Sequence, residues 1–374
     1  MIVLPKSDYS SAEEGLKYAN NEVCYPATLI VGDIIKALKS GDYDLSQVAV
    51  GITQTGGQCR ATNYYSIIRK ALVDAGFKDV PVLSVSFGGN TAKKQEGFQL
   101  NWKKTLPLTL STILFGDSLS HLYCSTIVRC KEEDKKKVKT LHDDYIRKVK
   151  LLILKEDSKS IDNLLKVAVE DFNSYLPKEN IEKHKVGIVG EIYLKYHSFA
   201  NHDVSNWLME QGIEVIPPSL MTFFVQTFVN RKVNRENNIE KQSIPQFVMD
   251  FFYKMVKKRI DACNKVMSSF RYYHPLDNVF DLSTKVKDII PLYTQFGEGW
   301  LLPAEIVNMV QHGINTVVSL QPFGCIANHI ISKGVENKIK EMYPRLNYLA
   351  LDFDNSVTPV NIKNRLLLML ESME

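Results

Sequence analysis

No Cys-x-x-Cys pair occurs in this chain, although it holds six cysteines: Cys24, Cys59, Cys124, Cys130, Cys263 and Cys325. That absence leaves zinc ribbons, ferredoxin-type cluster runs and thioredoxin-type redox motifs without support. Any metal site must therefore draw its ligands from far apart in the sequence. Few, scattered thiols in a chain of 374 residues read as reduced cysteines rather than a disulfide framework. There is no Gly-x-x-x-x-Gly-Lys-Ser/Thr loop and no Gly-x-Gly-x-x-Gly fingerprint, so ATP binding by this chain has no sequence support. The longest apolar stretch, around Leu106 to Phe115, is too short to span a bilayer. A net charge of +4 is too small on this length to argue for nucleic acid or a membrane surface. Met1-Ile-Val-Leu-Pro5 has neither a charged lead nor a small-residue cleavage site. The expectation is a cytoplasmic protein. No fixed-period repeat or low-complexity tract is evident.

What is present is ordinary globular material, with 45% hydrophobic and 24% charged residues and length enough for two domains. The first part reads as βα units. Val48–Thr53 and Val80–Ser86 are short apolar runs of strand type, each followed by glycines. A helix opens at Tyr25-Pro26 and runs to about Ser40, with the proline in its first turn. Another is expected from about Ala61 to Ala75, stopped by Gly76. Ile2-Val-Leu4 is a further strand candidate, and with so few strands the first lobe reads as cut short at its N-terminus. Residues 106–176 are helix-rich, and the charge-dense run Lys131–Lys139 is expected on a solvated helix surface. Pro177–Asn180 reads as a linker.

A second βα series follows, with strands at Val186–Val189, Glu214–Ile216, Thr316–Leu320 and Tyr348–Leu351. Helices near His202–Gln211, Glu305–His312, Val335–Met342 and Val360–Leu370 separate or follow them. That alternation predicts a parallel, flavodoxin-like sheet. The predicted fold class is α/β, with two flavodoxin/Rossmann-like parallel-sheet lobes and helical insertions. The first lobe covers 1–105, a helical segment and linker 106–180, and the second lobe 181–374. A helical insertion lies at about 220–290, including an amphipathic stretch from Pro245 to Phe270.

Three cysteines share one local setting. Cys24 precedes Tyr25-Pro26 and a helix, Cys59 follows a strand and the Thr55-Gly-Gly-Gln58 turn, and Cys325 follows Ser319-Leu-Gln-Pro-Phe-Gly324. Ligands of parallel sheets bind at the carboxyl ends of strands. A helix N-terminus also favours the thiolate that ligates metal. Gly56, Gly57 and Gly324 would let backbone approach a bulky inorganic group and donate N–H bonds to it. A cysteine in an apolar chain ordinarily fills core space, and spacing alone leaves that alternative open. Cys124, Cys130 and Cys263 sit inside helical patterns and read as structural. His197 and His202 are five apart and do not share a helix face, so surface or capping roles fit them better. His329 lies one turn beyond Cys325 and is a candidate proton donor or a plain structural histidine. Glu191 and Glu298 end turns, as helix caps or as site residues.

Longer motifs carry a family resemblance. Glu22-Val-Cys-Tyr-Pro-Ala27, Thr53-Gln-Thr-Gly-Gly-Gln-Cys-Arg-Ala-Thr-Asn-Tyr64 and Val80-Pro-Val-Leu-Ser84 resemble the acyl-CoA dehydratase activase-related proteins, also described as CoA-substrate-specific enzyme activases. Val186-Gly-Ile-Val-Gly-Glu-Ile-Tyr193, Gly297-Glu-Gly-Trp300, Gln321-Pro-Phe-Gly-Cys-Ile-Ala-Asn-His329 and Asp352-Phe-Asp354 follow in the same order. Such a segment is similar to 2-hydroxyacyl-CoA dehydratase and double-cubane cluster proteins. The resemblance implies an iron–sulfur cluster, [4Fe-4S] or double-cubane, in a cleft between two α/β lobes. Its ligands would be Cys24, Cys59 and Cys325, and its cofactor-binding residues Gly56, Gly57, Gln58 and Gly324. It implies a component of an ATP-dependent, low-potential electron-transfer system of anaerobic metabolism. An actin-like ATPase activator, separate or fused upstream, would be the partner and an acyl-CoA a candidate substrate. A homodimer is compatible with it, and nucleic acid and membrane partners are not expected. The alternative is a nucleotide- or partner-binding α/β module that kept the fold without the cluster.

Overall fold

The computed structural model describes residues 2–20, 22–54, 59–86, 101–239 and 244–373. It is a mixed α/β structure, mostly helical, with two parallel sheets of two and four strands. The chain opens with α1 (Tyr9–Leu16) and α2 (Tyr25–Lys39), then β1 (Val50–Gln54), a 3-10 turn at Arg60–Asn63, α3 (Tyr64–Asp74) and β2 (Val82–Ser86). Three long helices follow: α4 (Trp102–Ile127), α5 (Lys135–Leu154) and α6 (Ser158–Ser174). Next come β3 (Lys185–Gly190), α7 (Ile192–Tyr196), α8 (Val204–Glu210), β4 (Glu214–Ile216), α9 (Leu220–Glu236), α10 (Gln246–Met267), α11 (Val279–Thr284) and α12 (Leu301–Gln311). The chain finishes with β5 (Thr316–Pro322), a π-helical turn at Ala327–Ser332, α13 (Glu336–Met342), β6 (Asn347–Phe353) and α14 (Pro359–Glu371).

The four-stranded sheet has the order β4-β3-β5-β6 and is parallel throughout, as the spacing of its apolar runs predicts. Its central strand shows why these residues cannot face water: all seven residues of β5 are buried. Val317 enters a core shared with α4–α6 and α9–α12, while Val318 and Leu320 enter a second core with α8 and α14. Burial on both faces selects β-branched and aliphatic side chains without polar alternation. The two-stranded sheet pairs β1 with β2 in parallel and packs on α2 and α3.

Helix α2 belongs to two cores. Tyr25 and Leu29 pack with the large sheet, while Ala27, Val31, Ile34 and Ile35 pack with the small one. Burying each of Leu29, Val31, Ile34 and Ile35 contributes roughly 1.5–3 kcal/mol, so α2 fastens the two sheets to each other.

Several sequence expectations are corrected. Ile2–Leu4 forms no strand and is exposed, because a strand without a neighbour cannot satisfy its backbone. Helix α8 starts at Val204, later than expected, since His202 and Asp203 both adopt positive φ. Cys130 lies just past the end of α4 rather than inside a helix. As expected, long helices accompany the alternating β and α elements, and they fill the large core from both the 102–174 segment and the 220–284 insertion. No helix among the described residues is long and apolar enough to cross a membrane.

One buried ion pair ties α4 to β4. Arg129 donates to Glu214 at 2.6 Å, with both side chains fully buried. It also donates to the carbonyls of Ile181 and Ser125 and lies 3.8 Å from the centre of the Tyr272 ring. Burial pushes the Glu214 carboxyl up, but the bonds from Arg129 and Ser125 outweigh it and hold the group below its ordinary value. Removing one partner would strand the other charge in the core. Arg129→Met is expected to destabilise the fold by about 3–5 kcal/mol. Lys70→Ala, which breaks an exposed pair with Asp74, should cost no more than about 1 kcal/mol. Urea denaturation midpoints of the two variants check this, and equal losses would contradict it.

Candidate functional site

Open parallel sheets bind ligands outside the carboxyl ends of their strands, where the strand order reverses. In the large sheet that point lies between β3 and β5, from which the chain departs in Glu191 and in Gly324-Cys325. A cavity of about 480 Å³ opens there. Cys24, Cys59 and Cys325 all line it, together with Glu191, Glu298 and Gly324. The structure thus brings together three cysteines separated by up to three hundred positions in the chain.

Each thiol is placed by a different local device. Cys24 is the N-cap of α2, and the Tyr64 hydroxyl donates to its sulfur at 3.3 Å. Cys59 caps the 3-10 turn, and its sulfur accepts from the Ala61 N–H at 3.4 Å. Cys325 follows β5, and Asn328 donates to its sulfur at 3.1 Å. The loops are held against one another by backbone. Tyr25 N–H donates to the Phe323 carbonyl at 3.1 Å. The Arg60 guanidinium reaches across to the carbonyls of Glu22 and Val23 at 2.7 and 2.8 Å.

Two glycines make this fit. Gly324 has φ +79°, and a Cβ there would stand 3.1 Å from the Glu22 carbonyl oxygen and 3.2 Å from the Arg60 guanidinium. The space left by the missing side chain admits the Cys24 loop. Gly297 has φ +59°, and a Cβ there would lie 3.8 Å from the Cys59 sulfur, filling part of the cavity. Gly56, Gly57 and Gln58 lie outside the described residues.

Burial reverses the expected effect of the helix ends on the thiols. It pushes Cys24 up to about 12, with Glu191 adding to the rise. Cys325 is raised well above its ordinary value by burial, then by Glu298 and Glu191. The partial positive charge of a helix terminus does not offset desolvation here. Both thiols are therefore protonated at neutral pH unless a cation arrives.

Glu191 and Glu298 both bond backbone N–H groups at the start of α7, and both line the cavity. Glu191 caps α7 by accepting from Leu194 N–H at 2.9 Å, and Glu298 accepts from Ile192 N–H at 2.8 Å. Burial, then the neighbouring Glu298, pushes the Glu191 carboxyl up to about 8. Glu191 retains some accessible surface because it faces the cavity, yet it is set deep in the protein. Glu298 is raised as well, by burial, while Lys195 opposes the rise. Two carboxyls in one dry wall do not both ionise readily, so they hold at least one proton near neutral pH. Lys195 is itself buried, 3.8 Å from Glu305. The rest of the wall is apolar, with Phe223 and Phe224 of α9 and Phe296.

His329 does not line the cavity. Its ring lies 3.9 Å from the Asp352 carboxylate at the end of β6. His202 bonds the Val357 carbonyl at 3.0 Å. His197 accepts from Ala200 N–H through Nδ1 at 3.1 Å, so its Nε2 carries the proton that is donated to Ser7, 3.0 Å away. Ser7 in turn donates to Asp33 at 2.5 Å. This Ser/His/Asp contact is wired in the wrong sense for a hydrolase, where the imidazole accepts the serine proton. Among the described residues, no group of three or more His, Cys, Asp or Glu side chains is placed to hold a metal ion. Tyr64, Asn328 and Arg60 escaped assignment from sequence, though Asn328 stands one helical turn from Cys325 and Tyr64 five residues after Cys59.

Compared with family models, curated proteins and solved structures, the chain has no match. The class the geometry defines is therefore physical: a parallel α/β protein with a thiol- and carboxyl-lined cavity at its strand ends.

Two outcomes are expected. In metal-free native protein at pH 8, iodoacetamide should label half-buried Cys59 well ahead of the buried Cys24 and Cys325. Peptide mass mapping checks this, and equal labelling would refute it. The raised Glu191 carboxyl contributes stability that is complete below its unfolded value of 4.5 and is lost as pH rises through about 8. Glu191→Gln should flatten the fall in stability across that window, read from denaturation midpoints. An unchanged slope would count against the assignment.

Proposed function

We propose that this chain holds an iron–sulfur cluster and receives low-potential electrons in a 2-hydroxyacyl-CoA dehydratase-type, ATP-dependent system. The observation that carries the reading is the convergence of Cys24, Cys59 and Cys325 on one cavity. A single tetrahedral ion would draw thiolates to about 2.3 Å from itself, and the described side chains offer no such group. A group with several irons spreads its cysteines more widely and suits a roomy cavity. The buried, protonated thiols fit the same reading, because binding a cationic group is what would release their protons. The strand order of the large sheet is compatible with a flavodoxin-like lobe.

When bound, such a group supplies one-electron chemistry and, with three protein ligands, an iron position open to substrate. The chain's own residues do the rest. Tyr64 and Asn328 donate to the sulfurs of Cys24 and Cys325, stabilising negative charge there. Phe223, Phe224 and Phe296 exclude water. Glu191 and Glu298 keep a proton at the wall, available to a substrate oxygen. An actin-like ATPase activator would supply the electron, and an acyl-CoA thioester fits as substrate. A second reading, a partner- or nucleotide-binding module without a cluster, draws support from the same raised thiols, which are inert when left protonated.

Protein purified without oxygen is expected to be brown, with iron and acid-labile sulfide in equal amounts. Cys325→Ala should lose most of both, while the chain alone turns over no ATP. Colourless anaerobic protein without iron would favour the second reading.

A further inference from the structure

Helix α10 presents large apolar side chains to water. Phe247 is 74% exposed, Phe251 62%, Met255 47% and Phe252 40%. At 100° per residue, Phe247, Phe251 and Met255 form one stripe with Lys254 and Lys258 among them. Val256, Cys263 and Met267 are buried on the opposite side. The amphipathic pattern that sequence reveals in this helix is therefore only partly spent on the core. Contiguous exposed apolar surface of this kind marks an interaction site more often than it occurs idly.

Beside the stripe, a cavity of about 590 Å³ runs between α4, α6 and α10. Leu114, Phe115, Leu165 and Met255 line it, and Lys166 and Lys258 stand at its edge. The neighbouring charges are not all alike in their state. Arg259 pairs with Asp162 at 3.3 Å and Lys257 with Asp261 at 2.7 Å. Lys166, Lys254 and Lys258 are exposed and form no ion pair among the described residues. The apolar groove thus carries two lysines outside any ion pair at its edge, Lys166 and Lys258, beside the paired Arg259 and Asp162, and Lys254 stands on the adjoining stripe.

We propose that the α10 groove docks an acidic amphipathic helix of a partner protein. A helix laid in a groove buries its apolar stripe against the floor, while its flanking residues meet the rim. Here the rim calls for carboxylates. A second copy of this chain is disfavoured by symmetry: an isologous contact would press two patches of the same positive sign together. A lipid surface would require a convex apolar face lying in the plane of the headgroups, whereas Phe115 and Leu165 lie at the bottom of a cleft between helices. The inference stands apart from the cluster reading, since neither the groove nor its charges include a cavity-lining cysteine of the candidate site.

The test uses the full chain and a fluorescein-labelled synthetic amphipathic helix, with leucines on one stripe and glutamates flanking it. Fluorescence anisotropy should show saturable binding that weakens as salt is raised. Phe251→Ser and Lys258→Glu, both at exposed positions, should each weaken it by about ten-fold. A control peptide with lysines in place of the glutamates should not bind. The proposal is overturned if both peptides bind alike, if neither binds, or if the two variants bind the acidic peptide undiminished. It is equally overturned if the chain sediments with phosphatidylserine vesicles through Phe251, or if it forms a dimer that Phe251→Ser abolishes.

Discussion

The candidate site depends on a clasp between backbone segments that are distant in sequence. Tyr25 N–H bonds to the Phe323 carbonyl, and Arg60 bonds to the carbonyls of Glu22 and Val23. The first bond fixes the Cys24 loop against the Cys325 loop, and the second fixes it against the Cys59 turn. Charge-assisted bonds such as those of Arg60 contribute roughly 1.5–3 kcal/mol each. They act where α2 already joins the two sheets through opposite faces. Gly324 is what lets the loops approach so closely. Without that contact the three thiols would belong to separate loops and would share no cavity.

The electrostatics of the cavity follow from the same close packing. Removing water from Glu191, Glu298 and Glu305 raises all three carboxyls, and buried Lys195 relieves them only in part. The thiols respond in the same direction, since thiolate and carboxylate are both anions that the dry wall disfavours. A site of this kind stores a demand for positive charge. Left protonated in this wall, the thiols are weak nucleophiles.

The surface of α10 reverses the usual distribution. Near the cavity, ionisable groups are hidden, while on α10 phenylalanines are exposed beside unpaired lysines. Helix α9 touches both regions: Phe223 and Phe224 line the cavity, and Phe228 packs 5.2 Å from Tyr253 of α10. A partner on α10 would therefore sit one helix away from the thiols.

Much of the architecture was legible in the chain. The large parallel sheet followed from short runs such as Thr316–Leu320, because a strand buried on both faces is mainly apolar, with Thr316 and Ser319 as its buried polar residues. The helical insertion followed from 3.6-residue periodicity, and the three cysteines from their shared position where strand or loop turns into helix. Periodicity could not say which part of the apolar pattern on α10 meets the core, since that depends on where α4 and α6 lie. Nor could it reveal the state of the thiols. A helix N-terminus is a local feature visible in sequence, but desolvation is set by every element that packs around the group. Sequence determined the strands, the helices and the candidate ligands, because these rest on local periodicity and turn chemistry. Tertiary structure alone decided the clasp, the cavity and its protonation, because each is a sum over residues that meet only when the chain is folded.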